Sequence, residues 1–307
     1  MRRIFLFGFL LIGGIVLLLQ QVLAQGGIGI TISPLVFEIT GNPGEVIENQ
    51  VKITNPSDAS VGIKMTVEDI APADEAGHVI VEPAETESYS VSKWVKTEPA
   101  EFTLEPKEGQ WVKFIISIPA NAEPGGHYGT VVAGGVVVAG GEVTGAAIAP
   151  RVGALVLLTV PGAMKESLTV KDFTAPPYSE YGPINFAIRF ENTGTVHLKP
   201  RGLITITNWL GKKVADVPFP EKNVLPDAIR KIETSWDQKW LWAGKYTATL
   251  TGSYGISNTP FIPVVITFWA FPWKFGLAIL IVIILLILIR KRLGAAFRVL
   301  IRGEGRS

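Results

Sequence analysis

At 307 residues the chain is long enough for two domains of ordinary size between the apolar stretches at its ends. It has no cysteine, which excludes disulfides, thiol catalysis, Cys-ligated zinc and iron–sulfur clusters and leaves stability to core burial. The formal net charge of +1 hides a segregation. Without Arg2, Arg3 and the six cations and Glu304 of residues 290–307, 20 basic and 26 acidic side chains remain, a balance of −6 that argues against nucleic acid or another polyanion as partner.

Arg2 and Arg3 precede an uncharged apolar run from Ile4 to Leu19, followed by Val22-Leu23-Ala24. A cationic start, an apolar stretch and a small-residue site predict a cleaved secretory signal over 1–24. The exported part then reads as strand and turn. Val46–Ile53 (VIENQVKI) and Val61–Val67 alternate apolar and polar residues, the period-2 signature of half-buried strands, and Asn55-Pro56-Ser57-Asp58 turns the chain between them. Glu68, Asp69, Asp74 and Glu75 crowd carboxylates together, but their spacing matches no calcium loop and Pro72 interrupts it. A helical turn fits near Ser90–Val95, and Trp111–Ile118 (WVKFIISI) is a further strand.

Gly125–Gly162, rich in Gly, Ala and Val, has the length of a membrane span, but Glu142, Pro150 and Arg151 interrupt it. It is better read as two long buried strands, Tyr128–Val138 and Ala146–Val160, joined around Gly140-Gly141. A second unit begins near Met164. Ser167–Phe173, Ile184–Phe190, Leu203–Trp209, Gly244–Leu250 and Ile262–Ile266 are its strands. VKITNPSD at Val51–Asp58 and IRFENTGT at Ile188–Thr195 share a theme of strand, Asn, turn former and strand. Structural work at an inter-strand corner is the role expected of Asn55 and Asn192. The fold class is all-β: two tandem Ig-like β-sandwich domains, over 25–163 and 164–267, behind an N-terminal signal peptide.

Phe268–Ile289 is almost wholly apolar and ends at Arg290-Lys291-Arg292, which predicts one transmembrane helix over 268–289 with a basic cytoplasmic tail over 290–307. The expected location is therefore a cell membrane crossed once, with the bulk of the chain extracellular. The tail includes a partly amphipathic run, LGAAFRVLIR, suited to lying on anionic lipid. Trp269, Phe271, Trp273 and Phe275 lie at the outer edge of the span, where aromatic rings favour the interface.

Chemistry-bearing residues are sparse. His78, His127 and His197 sit in separate turn-rich neighbourhoods with no second ligand nearby, so no metal site, cofactor site or catalytic residue is expected. The chain reads as a binding protein and not an enzyme. Trp236, Trp240 and Trp242, with Tyr246, form a cluster that is either core packing or an exposed stacking platform for a glycan or protein.

ISPLVFEITGNPGE from Ile32, followed by VKITNPSD, is similar to the start of the peptidoglycan-binding domain of the WxL-interacting protein family. LEPKEGQWVKFIISIPANAEPGGHYGTVVAGG, from Leu104 to Gly135, resembles that domain's later part, and ENTGTVHLKPRG from Glu191 resembles the opening of the family's host-binding Ig-like domain. The resemblance implies a bacterial, membrane-anchored surface protein contacting peptidoglycan and a surface protein partner. It has no Trp-x-Leu tripeptide and so would be the interacting side. The best-matched turn offers Gly125, Gly126, His127 and Tyr128 as ligand contacts. The alternative is a chaperone-like assembly factor that accepts a partner strand by β-augmentation.

Overall fold

The structure, a computed structural model, describes residues 29–81, 89–136 and 150–303. The expected signal peptide and the Gly140-Gly141 connection lie outside the described residues. Two compact units divide between Ala163 and Met164, and the second also takes in Pro72–Val79.

The first unit is a β-sandwich. Its strands are β1 (Thr31–Ser33), β2 (Val36–Thr40), β3 (Val46–Thr54), β4 (Val61–Pro72), β5 (Val79–Val81), β6 (Val95–Glu98), β7 (Glu101–Leu104), β8 (Gly109–Ser117), β9 (Gly125–Val136) and β10 (Arg151–Val160). One sheet has the order β1-β3-β8-β6 and the other β2-β10-β9-β4-β5, with β7 also on β4. Alternation places Val51 and Ile53 of β3 and Val112, Phe114 and Ile116 of β8 between the sheets, fully buried. The Gly/Ala/Val-rich stretch forms the antiparallel pair β9–β10, running from Gly125↔Val160 to Gly134↔Arg151. Glycine is required at Gly129, where a Cβ would lie 2.9 Å from the Glu68 carbonyl oxygen and 2.7 Å from Val91 Cγ1.

The second unit repeats the plan with β11 (Leu168–Thr174), β12 (Tyr178–Ser179), β13 (Ile184–Asn192), β14 (Arg201–Thr207), β15 (Lys213–Pro218), β16 (Ile229–Trp236), β17 (Gly244–Tyr254), β18 (Thr259–Pro260) and β19 (Val264–Ala270). Its sheets run β11-β13-β16 and β12-β19-β17-β14-β15, with β18 on β17. Phe186, Ile188 and Phe190 of β13 and Ile204 of β14 are buried between them. In both units the opening strand is split at proline, with Pro34 between β1 and β2 and Pro176-Pro177 between β11 and β12. The second half then pairs in parallel with the unit's last strand, β2 with β10 and β12 with β19.

The apolar C-terminal stretch divides differently from the expected 268–289. Phe268–Ala270 continues β19, with Phe268 buried beneath Tyr246, and helix α1 runs from Trp273 to Gly303. The period-2 alternation of VVITFWA persists through Ala270, and Pro272 then stands just ahead of the first helical residue, where its fixed φ suits a helix start. Trp273–Arg290 is the candidate membrane span, with mean hydropathy 2.5 and no part of it buried against protein. The helix continues past Arg290, so residues 291–303 of the expected tail are helical. Its 31 residues extend about 46 Å, more than a hydrocarbon core of about 30 Å needs.

Candidate functional site

Three features of the described residues could engage a ligand or partner: a pocket in the first unit, an open strand edge in the second, and the aromatic end from which α1 leaves.

The pocket is organised by Asp69 near the end of β4. Its carboxylate accepts hydrogen bonds from Ser90 Oγ (2.9 Å), Ser92 Oγ (2.8 Å), Val91 N (3.2 Å) and Ser92 N (3.0 Å). Four donors on one carboxylate fix the 3₁₀ turn Ser92–Trp94, close to the helical turn expected at Ser90–Val95. Trp94 then lies against His127, with ring centroids 4.3 Å apart. The connection from β8 to β9 closes the other side, leaving a pocket of about 240 Å³ lined by Ser90, Lys93, Trp94, Asn121, Glu123 and His127 among others.

Gly125, Gly126, His127 and Tyr128 therefore do not form an exposed turn. They open β9, paired with Leu157–Val160 of β10, and His127 is 1% exposed. The Gly-Gly pair reads locally as a turn, but absent side chains also let a strand be covered on both faces. Of the four, only His127 lines the pocket. Its Nε2 lies 3.0 Å from the Glu123 carbonyl oxygen, which can only accept, so Nε2 carries the proton. Nδ1 is buried and has no hydrogen-bond partner among the described residues. Trp94, Lys93 and Asn121 were not legible as site residues, because the pocket joins segments far apart in sequence.

The acidic residues of the first half do not converge on an ion. Glu68 accepts from Thr66 and Arg151, Asp69 holds the turn, and Asp74 pairs with His78 Nδ1 at 2.7 Å. Glu75 takes two hydrogen bonds from Arg189, whose guanidinium holds the carboxyl below the usual range. Among the described residues no group of three His, Asp or Glu side chains could hold a metal. A larger, shallow groove of about 540 Å³ lies over Asn185–Ala187 and Glu233–Ser235, with Glu233 its one acidic side chain.

The open edge belongs to β19. On one side β19 pairs with β17 from Val264 to Ala270; on the other, β12 covers only Trp269 and Ala270. Among the described residues no strand pairs with that second side of Val264–Phe268. The segment, VVITF, carries no charge, and Val265 is 56% exposed. Lys, Pro or a bulge commonly protects such an edge, and none is present here.

The tryptophan cluster divides. Trp236 is half-buried against Tyr246, with ring centroids 5.8 Å apart, as core packing would have it. Trp240 and Trp242 are 70% and 87% exposed, while Leu241 between them is buried. The backbone carbonyl of Trp242 accepts a hydrogen bond from Tyr246 Oη at 3.0 Å, and the Trp240 ring meets Phe275 in the first turn of α1 at 6.4 Å.

No family model and no curated protein matches the chain. Among solved structures it is similar to the class 5 fimbriae chaperone CfaA, at 13% identity over 78% of this chain and 99% of that one, with a TM-score of 0.39. It is also similar to the Pseudomonas aeruginosa CupB2 chaperone, at 10% identity over 78% and 100% of the two chains and a TM-score of 0.35. A Salmonella enterica SafA pilin–SafB chaperone complex matches at 11% identity over 79% and 98%, with a TM-score of 0.37. Likeness at this level does not extend to function, which rests on the chain's own geometry.

Proposed function

We propose that the chain is a membrane-tethered, non-enzymatic binding protein whose second sandwich receives an extended segment of a protein partner along β19. The observation that carries this reading is the uncharged edge Val264–Phe268, which on one side pairs with no strand among the described residues. An incoming strand would satisfy the backbone groups there, and main-chain hydrogen bonds would supply the affinity. Because Ile266 and Phe268 face the core while Val265 and Thr267 face outward, a segment alternating apolar and polar residues fits the edge. Arg290-Lys291-Arg292 behind the candidate span supports reading the sandwiches as exported.

A photo-crosslinking residue at exposed Thr267 tests this in cells. The reading expects cross-links to an alternating segment of a partner, abolished when Val265→Pro is added. Cross-links that survive Val265→Pro would overturn it.

A second reading follows from the His127 pocket. Trp94, as a stacking ring, and the polar side chains of Ser90 and Asn121 suit a sugar bearing hydroxyl or acetamido groups, the chemistry of the peptidoglycan contact that the family resemblance implies. Salt-resistant co-sedimentation with insoluble peptidoglycan, lost in Trp94→Ala, is the expected result. Protein that stays in the supernatant would overturn this second reading alone.

A further inference from the structure

We infer that the end of the second sandwich from which α1 leaves is a membrane-seating surface, inserted into the headgroup region of the bilayer and not carried clear of it. The inference rests on reading Trp273–Arg290 as a membrane span and concerns a surface outside that span.

Four segments converge at this end. Gly182 N donates to the Lys239 carbonyl at 3.3 Å, which joins the segment after β12 to the β16–β17 connection. A Cβ on Gly244 would lie 2.7 Å from Trp209 Cδ1, so the ring following β14 rests on the first residue of β17. Gly244 itself pairs with Ala270, the last residue of β19. Its φ of +149° and the ring above it leave no room for a side chain.

These segments carry exposed apolar side chains: Trp209 and Leu210 at 67% each, Trp242 at 87%, and Trp240, Tyr181 and Phe271 at more than half. A patch of this kind on an exported domain needs an occupant, and the helix identifies it. Tyr178 Oη donates to the Phe271 carbonyl at 2.6 Å, and Lys274 Nζ bonds Glu180 at 2.9 Å and lies 5.9 Å from the Tyr181 ring centroid. With Trp240 against Phe275, the patch is pinned to the first turn of the span. Side chains held there sit where the hydrocarbon core begins, the level that Trp and Tyr favour because one part of the ring is apolar and the other polar. Exposed Lys212, Lys239 and Lys245 lie on the same segments and suit phosphate-bearing headgroups.

The absence of cysteine gives a direct test with the full chain reconstituted in vesicles of zwitterionic and anionic phospholipid. Single spin labels are placed at Leu210→Cys, Trp242→Cys, Ile256→Cys and Leu280→Cys, and collisions with oxygen and with a water-soluble nickel chelate are compared. Ile256 is 80% exposed and lies beyond the far end of β17, roughly 30 Å from Gly244. The inference expects labels at 210 and 242 to collide with nickel at least threefold less than the label at 256, and the label at 280 to be fully shielded. Shielding at 280 with 210 and 242 as accessible as 256 would overturn the seating surface while leaving the span intact. Nickel access at 280 would overturn the span and the inference with it. A larger effect in anionic vesicles would assign part of the seating to the lysines.

Discussion

Asn55 and Asn192 hold the same corner of their respective sandwiches. Asn55 Nδ2 donates to the carbonyls of Ala59 (2.8 Å), Leu104 (3.2 Å) and Glu105 (3.0 Å), and Oδ1 accepts from Ser57 N at 3.0 Å. Asn192 Nδ2 donates to the carbonyls of Val196 and Val224, both at 2.9 Å, and Oδ1 accepts from Gly194 N at 2.9 Å. Both side chains are fully buried, each ties the turn after a strand to a distant connection, and both make the structural contribution expected of them. Alanine at either site leaves buried carbonyls and an N–H unpaired, at about 2–3 kcal/mol. Urea unfolding of Asn55→Ala and Asn192→Ala should show losses of that size. Aspartate should be no better, because it cannot donate.

Asp69 holds the pocket wall through four donors on one carboxylate. Asp69→Ala should free the Ser92–Trp94 turn and raise amide hydrogen exchange at Val91 and Ser92 at least tenfold, with β8 unchanged. Exchange that stays slow would show that packing alone sets the turn.

Gly129 lies in the middle of a covered strand with a neighbouring backbone oxygen in the space a methyl would take. Gly129→Ala should cost roughly 1–3 kcal/mol, as overpacking against an unyielding neighbour does. Gly134 of the same strand, where a Cβ would make ordinary contacts at 3.7 Å and φ is not positive, is the control for added volume.

The acid limb of stability has identifiable sources. Hydrogen bonds from Lys213 and Thr205 hold the Asp216 carboxyl below its ordinary 3.8, and a hydrogen bond from Lys231 holds Glu233 below 4.5. A depressed folded-state value means that the unfolded chain binds more protons in this range, so stability rises with pH. The contribution is complete above these ordinary values and is lost as pH falls through the lower folded ones. Thermal unfolding of Asp216→Asn and Glu233→Gln should therefore fall below the parent near pH 6, by a margin that narrows as pH drops below 3.8 and 4.5 respectively. Both sites are exposed, so high salt should shrink the difference.

Much of this architecture is written in local alternation. Val61, Ile63 and Met65 alternate in sequence and are buried in turn, as are Ile184, Phe186, Ile188 and Phe190. Local pattern failed where two patterns overlap or where contacts are distant. Phe268–Ala270 belongs both to an apolar run and to a period-2 strand, and only its pairing with β17 decides between them. His127 follows two glycines that read as a turn, yet β10 pairs with it along the strand. The aromatic cluster was visible, but not its division into half-buried Trp236 and exposed Trp240 and Trp242. The open edge of β19 had no local signature, because it depends on where β12 stops.

The measurement that tests the account most directly is hydrogen exchange at the amides of Val264–Phe268 in the full chain. It should be made before and after adding a peptide of the segment cross-linked at Thr267. Strand addition predicts that exchange at Val265 and Thr267, whose amides share the open side with that of Trp269, slows at least tenfold while the outer edge of β15 is unchanged. Unchanged exchange across Val264–Phe268 in a saturated complex would contradict the account, because a partner held without those backbone hydrogen bonds is not an added strand.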